Sequence, residues 1–156
     1  MKSKVNIVPY SAHYGDAFRK LNVEWLEKHF FVEPKDTELL SDPQTSILDN
    51  GGYIFYAEYD GEIVGTFALI HDENDCYELG KMAVTEKTQG LGIGNVMLQH
   101  CIDFAVSIGA KKIVLLSNTK LSSAIHLYKK YGFVEVPLGN NPYARSNIKM
   151  EKILQR

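Results

Sequence analysis

The residues best suited to chemistry in this 156-residue chain form a glycine-rich turn between a strand-like and a helix-like stretch. Gly90, Gly92 and Gly94 lie within five residues of one another, and residues 95–108 carry apolar side chains at helical spacing. Such a turn leaves the first main-chain N–H groups of a helix unpaired and adds the positive end of the helix dipole. The pattern therefore predicts a site for a phosphate group.

The common nucleotide-binding patterns do not fit this turn. A dinucleotide fingerprint needs glycine where Asn95 stands and an acidic residue at the end of the next strand, which here ends at Ser117. The phosphate loop of nucleoside triphosphatases needs Gly-Lys-Ser or Gly-Lys-Thr, which does not follow Gly94. A nucleotide- or sugar-phosphate-binding protein is the correct interpretation only if the turn is generic.

The elements before the turn are predicted to include a sheet whose last strand leads into the turn. Residues 5–8 predict a first strand, and the apolar residues of 14–25 predict a helix. A less regular region follows, with one short helix around residues 37–40. Strands at 53–57 and 63–70 flank Asp60 and Gly61, a pair suited to a tight antiparallel hairpin. A third strand, residues 76–84, leads directly into the glycine turn.

The elements after the turn predict a parallel crossover. The helix over residues 95–108 ends at Gly109, and the apolar run 113–116 then predicts a strand parallel to residues 76–84. A second helix begins near Ser122 or Ser123, either of which could cap it, and ends at Gly132. The last strands are predicted at residues 133–136 and 148–153. We expect residues 1–156 to form a single domain.

Composition argues for a small molecule as the partner. The chain has 17 Lys and Arg against 19 Asp and Glu, so its formal net charge of −2 gives no electrostatic reason for binding nucleic acid or an anionic membrane. No apolar run reaches the roughly 20 residues that cross a bilayer, and the chain is predicted to be cytoplasmic. Cys76 and Cys101 are predicted to be reduced core residues. The five histidines show no metal-ligand spacing, so no metal is predicted.

Two motifs, in addition to the order of elements, resemble those of a known family. After a strand comes Gln89-x-x-Gly92-x-Gly94, and after the next strand comes Leu127-Tyr128-Lys129-Lys130-Tyr131-Gly132-Phe133. Both resemble the GNAT superfamily of acyl-CoA-dependent N-acyltransferases, over residues 53–133 and the amino-terminal strand and helix. The resemblance implies an α/β fold: a mixed, mostly antiparallel twisted sheet flanked by helices, with a parallel strand pair splayed around a coenzyme A site.

The resemblance also implies which residues bind acetyl-CoA as co-substrate. The coenzyme diphosphate would lie on the main-chain N–H groups of the turn, and the pantetheine arm would pair with a strand as an added strand does. Asn118 resembles an asparagine that binds the arm or orders water near the sulfur, although a turn role is open. The implied cofactor-binding residues are Met82, Ala83, Val84, Gln89, Gly90, Leu91, Gly92, Ile93, Gly94, Asn95 and Asn118.

Two catalytic residues follow from the same resemblance. Glu78 is the candidate base that removes a proton from the amine, directly or through water, and its alternative is an ordinary solvent-facing carboxylate. Tyr128 aligns with the tyrosine that protonates the departing thiolate, and its alternative is core packing on the apolar face of its helix. A nucleophile for a covalent enzyme intermediate is not evident, so direct attack is expected.

The amine acceptor is predicted to meet two irregular regions, before the second strand and after Phe133. The candidates in these regions are Phe30, Phe31, Glu33, Tyr143 and Arg145, of which Phe31, Tyr143 and Arg145 are the predicted substrate-binding residues. In the second region, the Tyr143 ring and the Arg145 guanidinium, two residues apart, could bind a carboxylate or stack on a ring. Packing of Tyr143 and solvation of Arg145 are the structural alternative. A homodimer is possible, as the resemblance suggests.

The sequence therefore predicts an N-acetyltransferase that moves an acetyl group from acetyl-CoA to a primary amine of a small molecule or peptide. The alternative is a non-catalytic acyl-CoA-binding or sensing domain, which would retain the glycine turn and lack turnover. Tyr128 favours the enzyme, because a domain that only binds would not need it.

Overall fold

The computed structural model describes residues 5–155, in which seven strands form one mixed sheet with helices on both faces. The strands are β1 (Val5–Pro9), β2 (Tyr53–Tyr59), β3 (Glu62–His71), β4 (Cys76–Val84), β5 (Lys112–Ser117), β6 (Val134–Val136) and β7 (Ile148–Ile153). The helices are α1 (Ala17–His29), α2 (Pro34–Ser41), α3 (Ile93–Ser107) and α4 (Ser122–Lys130). Short 3₁₀ turns at Ala12–Tyr14 and Glu86–Thr88 and a π-helical turn at Gln44–Leu48 complete the fold.

The sheet order is β1-β2-β3-β4-β5-β7-β6, and every neighbouring pair except β4–β5 is antiparallel. The β4–β5 pair is parallel and is connected by α3, as a parallel crossover requires. This topology confirms the predicted mixed, mostly antiparallel α/β sheet with one parallel pair.

Local sequence signals placed most elements correctly. Asp60 and Gly61 both have positive φ, 51° and 78°, which is the backbone that a tight hairpin turn demands. The third strand has the predicted bounds, Cys76–Val84, and Gly109 follows α3 at φ 78°. The first helix begins later than predicted, at Ala17, because Tyr14 belongs to the preceding 3₁₀ turn.

Two local predictions were wrong. The N-cap residue of α4 is Leu121, and no side chain caps the helix, so neither Ser122 nor Ser123 has the predicted capping role. Cys101 is buried in the core as predicted, but Cys76 is only half-buried at the start of β4, where its Sγ lies 3.7 Å from the carbonyl oxygen of Asn74. Both cysteines are free.

Separate apolar clusters cover the two faces of the sheet. The larger one packs α3, through residues such as Met97 and Leu98, against Phe67, Leu79 and Leu115. The smaller one packs α1 and α2 against the other face. Among the described residues, no helix is long and apolar enough to cross a membrane. The side chains of the central strands therefore pack toward either the α3 layer or the α1–α2 layer.

A β-bulge in β4 changes which face its side chains occupy. The β3–β4 register shifts between Thr66 and Ala68, and Lys81 has φ 53°. Tyr77 and Leu79 belong to the α3-side cluster before the bulge, whereas Met82 and Val84 pack against that cluster after it. Strict alternation would have placed Lys81 with Leu79, but the bulge frees it to turn toward α2.

Candidate active site

A cavity of about 230 Å³ opens where β4 and β5 separate. The two strands pair only over Cys76–Glu78 and Lys112–Val114, and beyond that point the cavity lies between them. It is lined from the α1 side by Asn22, Trp25, Leu26 and Phe30, and from the α4 side by Ala124, Leu127 and Tyr128. The gap therefore connects the two faces of the sheet.

One edge of β4 is exposed to this cavity. Ala83 and Val84 pair with Thr66 and Gly65 of β3, whereas no β5 residue pairs with β4 beyond Glu78. Met82, Ala83 and Val84 all line the cavity. An extended ligand could therefore add to this edge by main-chain hydrogen bonds, as the sequence predicts for the pantetheine arm.

The glycine turn lies at one end of the cavity, where Gln89 belongs to the lining. Gly90 and Gly92 have φ of 83° and 75°, and a Cβ built on either would meet only open space. Gly92 is the N-cap residue of α3, and no side chain caps the helix. The first-turn N–H groups of a 15-residue helix are thus free of a side-chain cap, which suits the diphosphate of coenzyme A.

The other turn residues have different surroundings. Leu91 is exposed, and the side chain of Ile93 is buried in the core, so each could contribute only its main chain to an anion. A Cβ on Gly94 would lie 3.5 Å from Leu127 Cδ2, an ordinary van der Waals distance, so the packing of α3 on α4 does not itself require glycine there. The Asn95 side chain faces α4, where its Oδ1 accepts from Lys130 Nζ at 3.3 Å.

Glu78 lies on the α1–α2 side of the gap. Its neighbours Tyr77 and Leu79 pack on the α3 side, so alternation places the Glu78 side chain on the opposite face. Glu78 lines the cavity, and burial raises the pKa of its carboxyl group, an effect that the charges of Lys81 and Lys35 oppose. Glu78 is therefore not the ordinary solvent-facing carboxylate of the alternative interpretation.

Tyr128 reaches the same cavity from α4 on the other side. Its ring lies 6.0 Å from that of Phe133 and packs against the α3-side cluster. Burial raises the pKa of the Tyr128 hydroxyl to about 12, so this group stays protonated at neutral pH. The residue both packs and lines the cavity, so the two sequence interpretations are compatible.

Asn118 lines the cavity, but its side chain already has structural partners. Its Nδ2 donates to the carbonyl oxygen of Arg145 at 2.7 Å, and its Oδ1 accepts from the main-chain N–H of Lys120 at 2.8 Å. The first bond ties the end of β5 to the loop before β7, and the second forms a local turn.

The predicted acceptor residues are only partly brought together. Tyr143 and Arg145 line the cavity, whereas Phe31 is 62% exposed and is not part of the lining. Its neighbour Phe30 takes that place. The α1 helix ends at His29, so the chain is no longer helical at Phe30, and consecutive side chains diverge there.

Arg145 is neither solvated nor free to bind a ligand, because it joins a buried charge cluster. Its Nη1 and Nη2 donate to the two carboxylate oxygens of Asp36 at 2.7 and 2.8 Å, and Nη1 lies 3.3 Å from Glu33 Oε2. Lys81 Nζ forms an ion pair with Asp36 as well. Burial alone would raise the pKa of Asp36, but the hydrogen bonds from Arg145 and Lys81 lower it to about 2.

This cluster fixes Tyr143 in the cavity wall. Lys81 Nζ lies 4.7 Å from the centre of the Tyr143 ring, and the Arg145 guanidinium carbon lies 4.2 Å from it. Burial, and next the charge of Glu78, raise the pKa of the Tyr143 hydroxyl. Sequence reasoning missed Asp36 and Lys81. The reciprocal capping box of Glu33 and Asp36 with Pro34 was a readable helix-start signal, but nothing local marks Lys81.

Within residues 5–155 no group of three or more His, Cys, Asp or Glu side chains is arranged to hold a metal ion. The polar side chains that line the cavity include the Glu78 carboxylate, the phenols of Tyr128 and Tyr143, the cations of Lys81 and Arg145, and the amides and hydroxyls of Asn22, Gln89, Ser117, Asn118 and Ser146.

Comparison with known proteins identifies the class. The model of the Acetyltransferase (GNAT) family matches residues 17–133, which is most of the chain, and this protein belongs to that family. The match includes α1, β4, the glycine turn, β5 and α4, each of which contributes residues to the cavity lining. The family uses acetyl-CoA as acyl donor.

Individual relatives agree with this assignment. An uncharacterised N-acetyltransferase, YvbK, of Bacillus subtilis (strain 168) is 29% identical over 118 residues, which cover 74% of this chain and 76% of that protein. A GNAT-family acetyltransferase structure from Staphylococcus aureus Mu50 superposes with a TM-score of 0.86 at 24% identity, over 97% and 99% of the two chains.

A spermidine N-acetyltransferase from Vibrio cholerae, solved with CoA and spermine, superposes with a TM-score of 0.72 at 19% identity, covering 97% and 96% of the chains. At these identities the two structural matches show a shared fold.

Proposed function

We propose that this protein is an N-acetyltransferase that transfers an acetyl group from acetyl-CoA to a primary amine of a small molecule or peptide by direct attack. The observation that carries the proposal is the cavity in the β4–β5 gap. It joins an uncapped helix N-terminus at one end to Glu78 and Tyr143 at the other. Family membership and the N-acetyltransferase activity named for its relatives support acetyl transfer as the reaction.

The chain would hold the coenzyme mainly by its backbone. The N–H groups of the turn over residues 89–95 face the diphosphate, with the glycines leaving room for close approach. The free edge of β4 at Met82, Ala83 and Val84 pairs with the pantetheine arm. Asn118 borders the arm, while its amide keeps the β5 end and the Arg145 loop in place. When bound, the coenzyme supplies the activated acyl group.

Glu78 would accept the proton that the amine must lose. An alkyl amine has a reference pKa of about 10.4, so few molecules are neutral at pH 7 and a nearby base raises the reactive fraction. Burial brings the pKa of Glu78 upward toward the working pH, which makes this carboxylate a better base than an exposed one.

Tyr128 would donate a proton to the leaving sulfur from the opposite face of the sheet. The reaction forms a C–N bond and breaks a C–S bond, so the amine nitrogen loses one proton and the sulfur gains one. The Tyr128 hydroxyl is protonated at neutral pH, since its pKa is about 12, and it can donate a hydrogen bond to the sulfur as negative charge develops. Proton transfer from a phenol of pKa about 12 to a thiolate whose conjugate acid has a pKa of about 8.5 is uphill, so Tyr128 needs close positioning against the sulfur to donate its proton.

Direct attack agrees with the placement of the thiols. No cysteine lines the cavity, and burial raises the pKa of the Cys101 thiol to about 12 within the α3 core. A buried, protonated thiol is a poor nucleophile. The acyl group would therefore pass to the amine without an enzyme-bound thioester.

Replacement of Tyr128 by Phe tests this function. In an assay of CoA release from acetyl-CoA with a panel of primary amines, we expect Tyr128→Phe to lower kcat about a hundredfold while leaving the Kd for CoA unchanged. Tyr53→Phe is the control, because this phenol packs against Phe104, 4.7 Å between ring centres, away from the cavity. CoA binding by the wild type without turnover for any amine would support the sensing domain instead, and no CoA binding would exclude both.

A further inference from the structure

The cations of the cavity are already neutralised by this chain's own carboxylates. Arg145 donates to both oxygens of Asp36, and the ammonium group of Lys81 pairs with the same carboxylate. Glu33 adds a contact to Arg145 Nη1 at 3.3 Å. The Arg145 guanidinium, which could otherwise bind a substrate carboxylate through two hydrogen bonds, is therefore occupied by Asp36.

The two acids that occupy these cations are held independently of any ligand. Asp36 Oδ2 accepts from the main-chain N–H of Glu33 at 2.9 Å. Glu33 accepts from the main-chain N–H groups of Ala144 at 2.7 Å and Arg145 at 3.2 Å. Asp36 is 0% and Glu33 5% exposed. A ligand carboxylate would have to displace buried, fully bonded carboxylates to reach Arg145 or Lys81, which is strongly unfavourable.

The Glu78 carboxylate is the charged group left facing the cavity. Among the described residues it has no hydrogen-bond or ion-pair partner, although the charges of Lys81, Lys35 and Lys149 act on it at longer range. A second carboxylate placed beside it would be repelled. Lys120, another cation near this end, donates to the carbonyl oxygen of His29 and lies 4.0 Å from the centre of the Phe30 ring, outside the lining.

The walls around Glu78 are aromatic. Trp25, Phe30 and Tyr143 line the cavity on the α1 side, with the Trp25 and Phe30 ring centres 5.7 Å apart. Rings at this spacing suit a flat, apolar group.

We infer, on the basis of the proposed function, that the acceptor is an amine on an apolar, preferably aromatic, body that carries no carboxylate beside the reacting nitrogen. Amino acids are then poor acceptors, because their α-carboxylate meets Glu78 and finds no unpaired cation among the described residues that line the cavity. An arylalkyl amine instead places its nitrogen at Glu78 and its ring against Trp25, Phe30 and Tyr143.

Matched acceptors test this inference on the wild-type chain. CoA release from acetyl-CoA is measured with phenethylamine, phenylalaninamide and phenylalanine, with tyramine and tyrosine as a second pair, and with aspartate. Phenylalaninamide is the control for bulk, because it replaces the carboxylate by a neutral group of similar size. We expect kcat/KM for phenethylamine and phenylalaninamide to exceed that for phenylalanine at least about tenfold.

The outcomes separate this inference from the function on which it rests. Equal or faster acetylation of phenylalanine, tyrosine or aspartate would overturn the inference and leave the N-acetyltransferase intact. Equally poor turnover of phenylalanine and phenylalaninamide beside fast turnover of phenethylamine would also overturn it, because bulk rather than charge would then decide. If no amine releases CoA, the proposed function fails and the inference falls with it.

Discussion

Glu78 and Tyr128 line the cavity from opposite faces of the sheet. This separation agrees with their different proposed roles, Glu78 as base for the amine and Tyr128 as proton donor to the sulfur. The α1–α2 face presents a carboxylate whose pKa is raised by burial, and the α4 face presents a phenol that stays protonated. A base on the amine side and a proton donor on the sulfur side are what aminolysis of a thioester needs.

Glu78→Gln tests the base. A carboxylate works as a base only when deprotonated, so a raised pKa makes kcat/KM of the wild type fall with decreasing pH at a higher pH than an ordinary glutamate would give. We expect Glu78→Gln to lose this acidic limb and to lower kcat/KM at pH 7 at least about tenfold. The measurement is a pH–rate profile with a fixed amine, corrected for the amine's own titration.

Glu62→Gln is the matched control for this profile, because Glu62 is an exposed carboxylate at the start of the β3 strand, outside the cavity lining. Its profile should coincide with that of the wild type. An acidic limb that persists in Glu78→Gln would assign the titration to another group and exclude Glu78 as the base.

At the scale of elements, the α3 N-terminus and the turn before it are the proposed anion site. Gly92 has φ 75° and faces open space, so an aspartate there would put a negative charge and added bulk where a diphosphate should bind. We expect Gly92→Asp to raise the Kd for CoA at least about a hundredfold by calorimetry, with an unchanged circular dichroism spectrum.

Gly61→Asp controls for backbone strain in this experiment. Gly61 has nearly the same φ, 78°, and equally open surroundings, but it lies in the β2–β3 hairpin. Both variants carry the same conformational penalty, and only the one at α3 should lose CoA. An unchanged Kd for Gly92→Asp would remove the diphosphate from this turn.

At the scale of the whole molecule, Asp36 links three parts of the chain. It joins the start of α2 to the β4 bulge through Lys81 and to the loop before β7 through Arg145. Removal of one partner from a buried charge cluster leaves the others without compensation, so we expect Asp36→Asn to lower the free energy of unfolding at pH 7 by about 3 kcal/mol. Urea denaturation measures this change.

The exposed pair on the same helix supplies the control. Lys35 Nζ lies 2.6 Å from Glu38 Oε2, and both side chains are exposed to solvent. Glu38→Gln should therefore change the free energy of unfolding by less than about 1 kcal/mol. Similar losses for Glu38→Gln and Asp36→Asn would contradict the importance assigned to the cluster.

The Asp36 effect should also depend on pH. The folded-state pKa of about 2 lies below the ordinary aspartate value of about 3.9, so the charged carboxylate stabilises the fold at pH above about 4. That contribution, about 2 kcal/mol, is lost as the pH falls from about 4 toward 2. The stability difference between wild type and Asp36→Asn should shrink over the same range, and a difference that stays constant would exclude titration of Asp36 as its source.

The sequence by itself determined the features that depend on local geometry. Gly90, Gly92 and the Asp60–Gly61 hairpin follow from the backbone angles that a turn requires, and apolar spacing located α3 and β4. The motif around Tyr128 added the family, which the comparison then confirmed.

Only the tertiary structure decided how the acceptor end is built. Asp36 meets Lys81 across 45 residues and Arg145 across 109, and no local pattern encodes such distant pairs. The bulge turned Lys81 to the opposite face, and the end of α1 placed Phe30 rather than Phe31 in the cavity. Arg145 looked available in the sequence, but in the folded chain Asp36 and Glu33 occupy it, because buried charges must be paired.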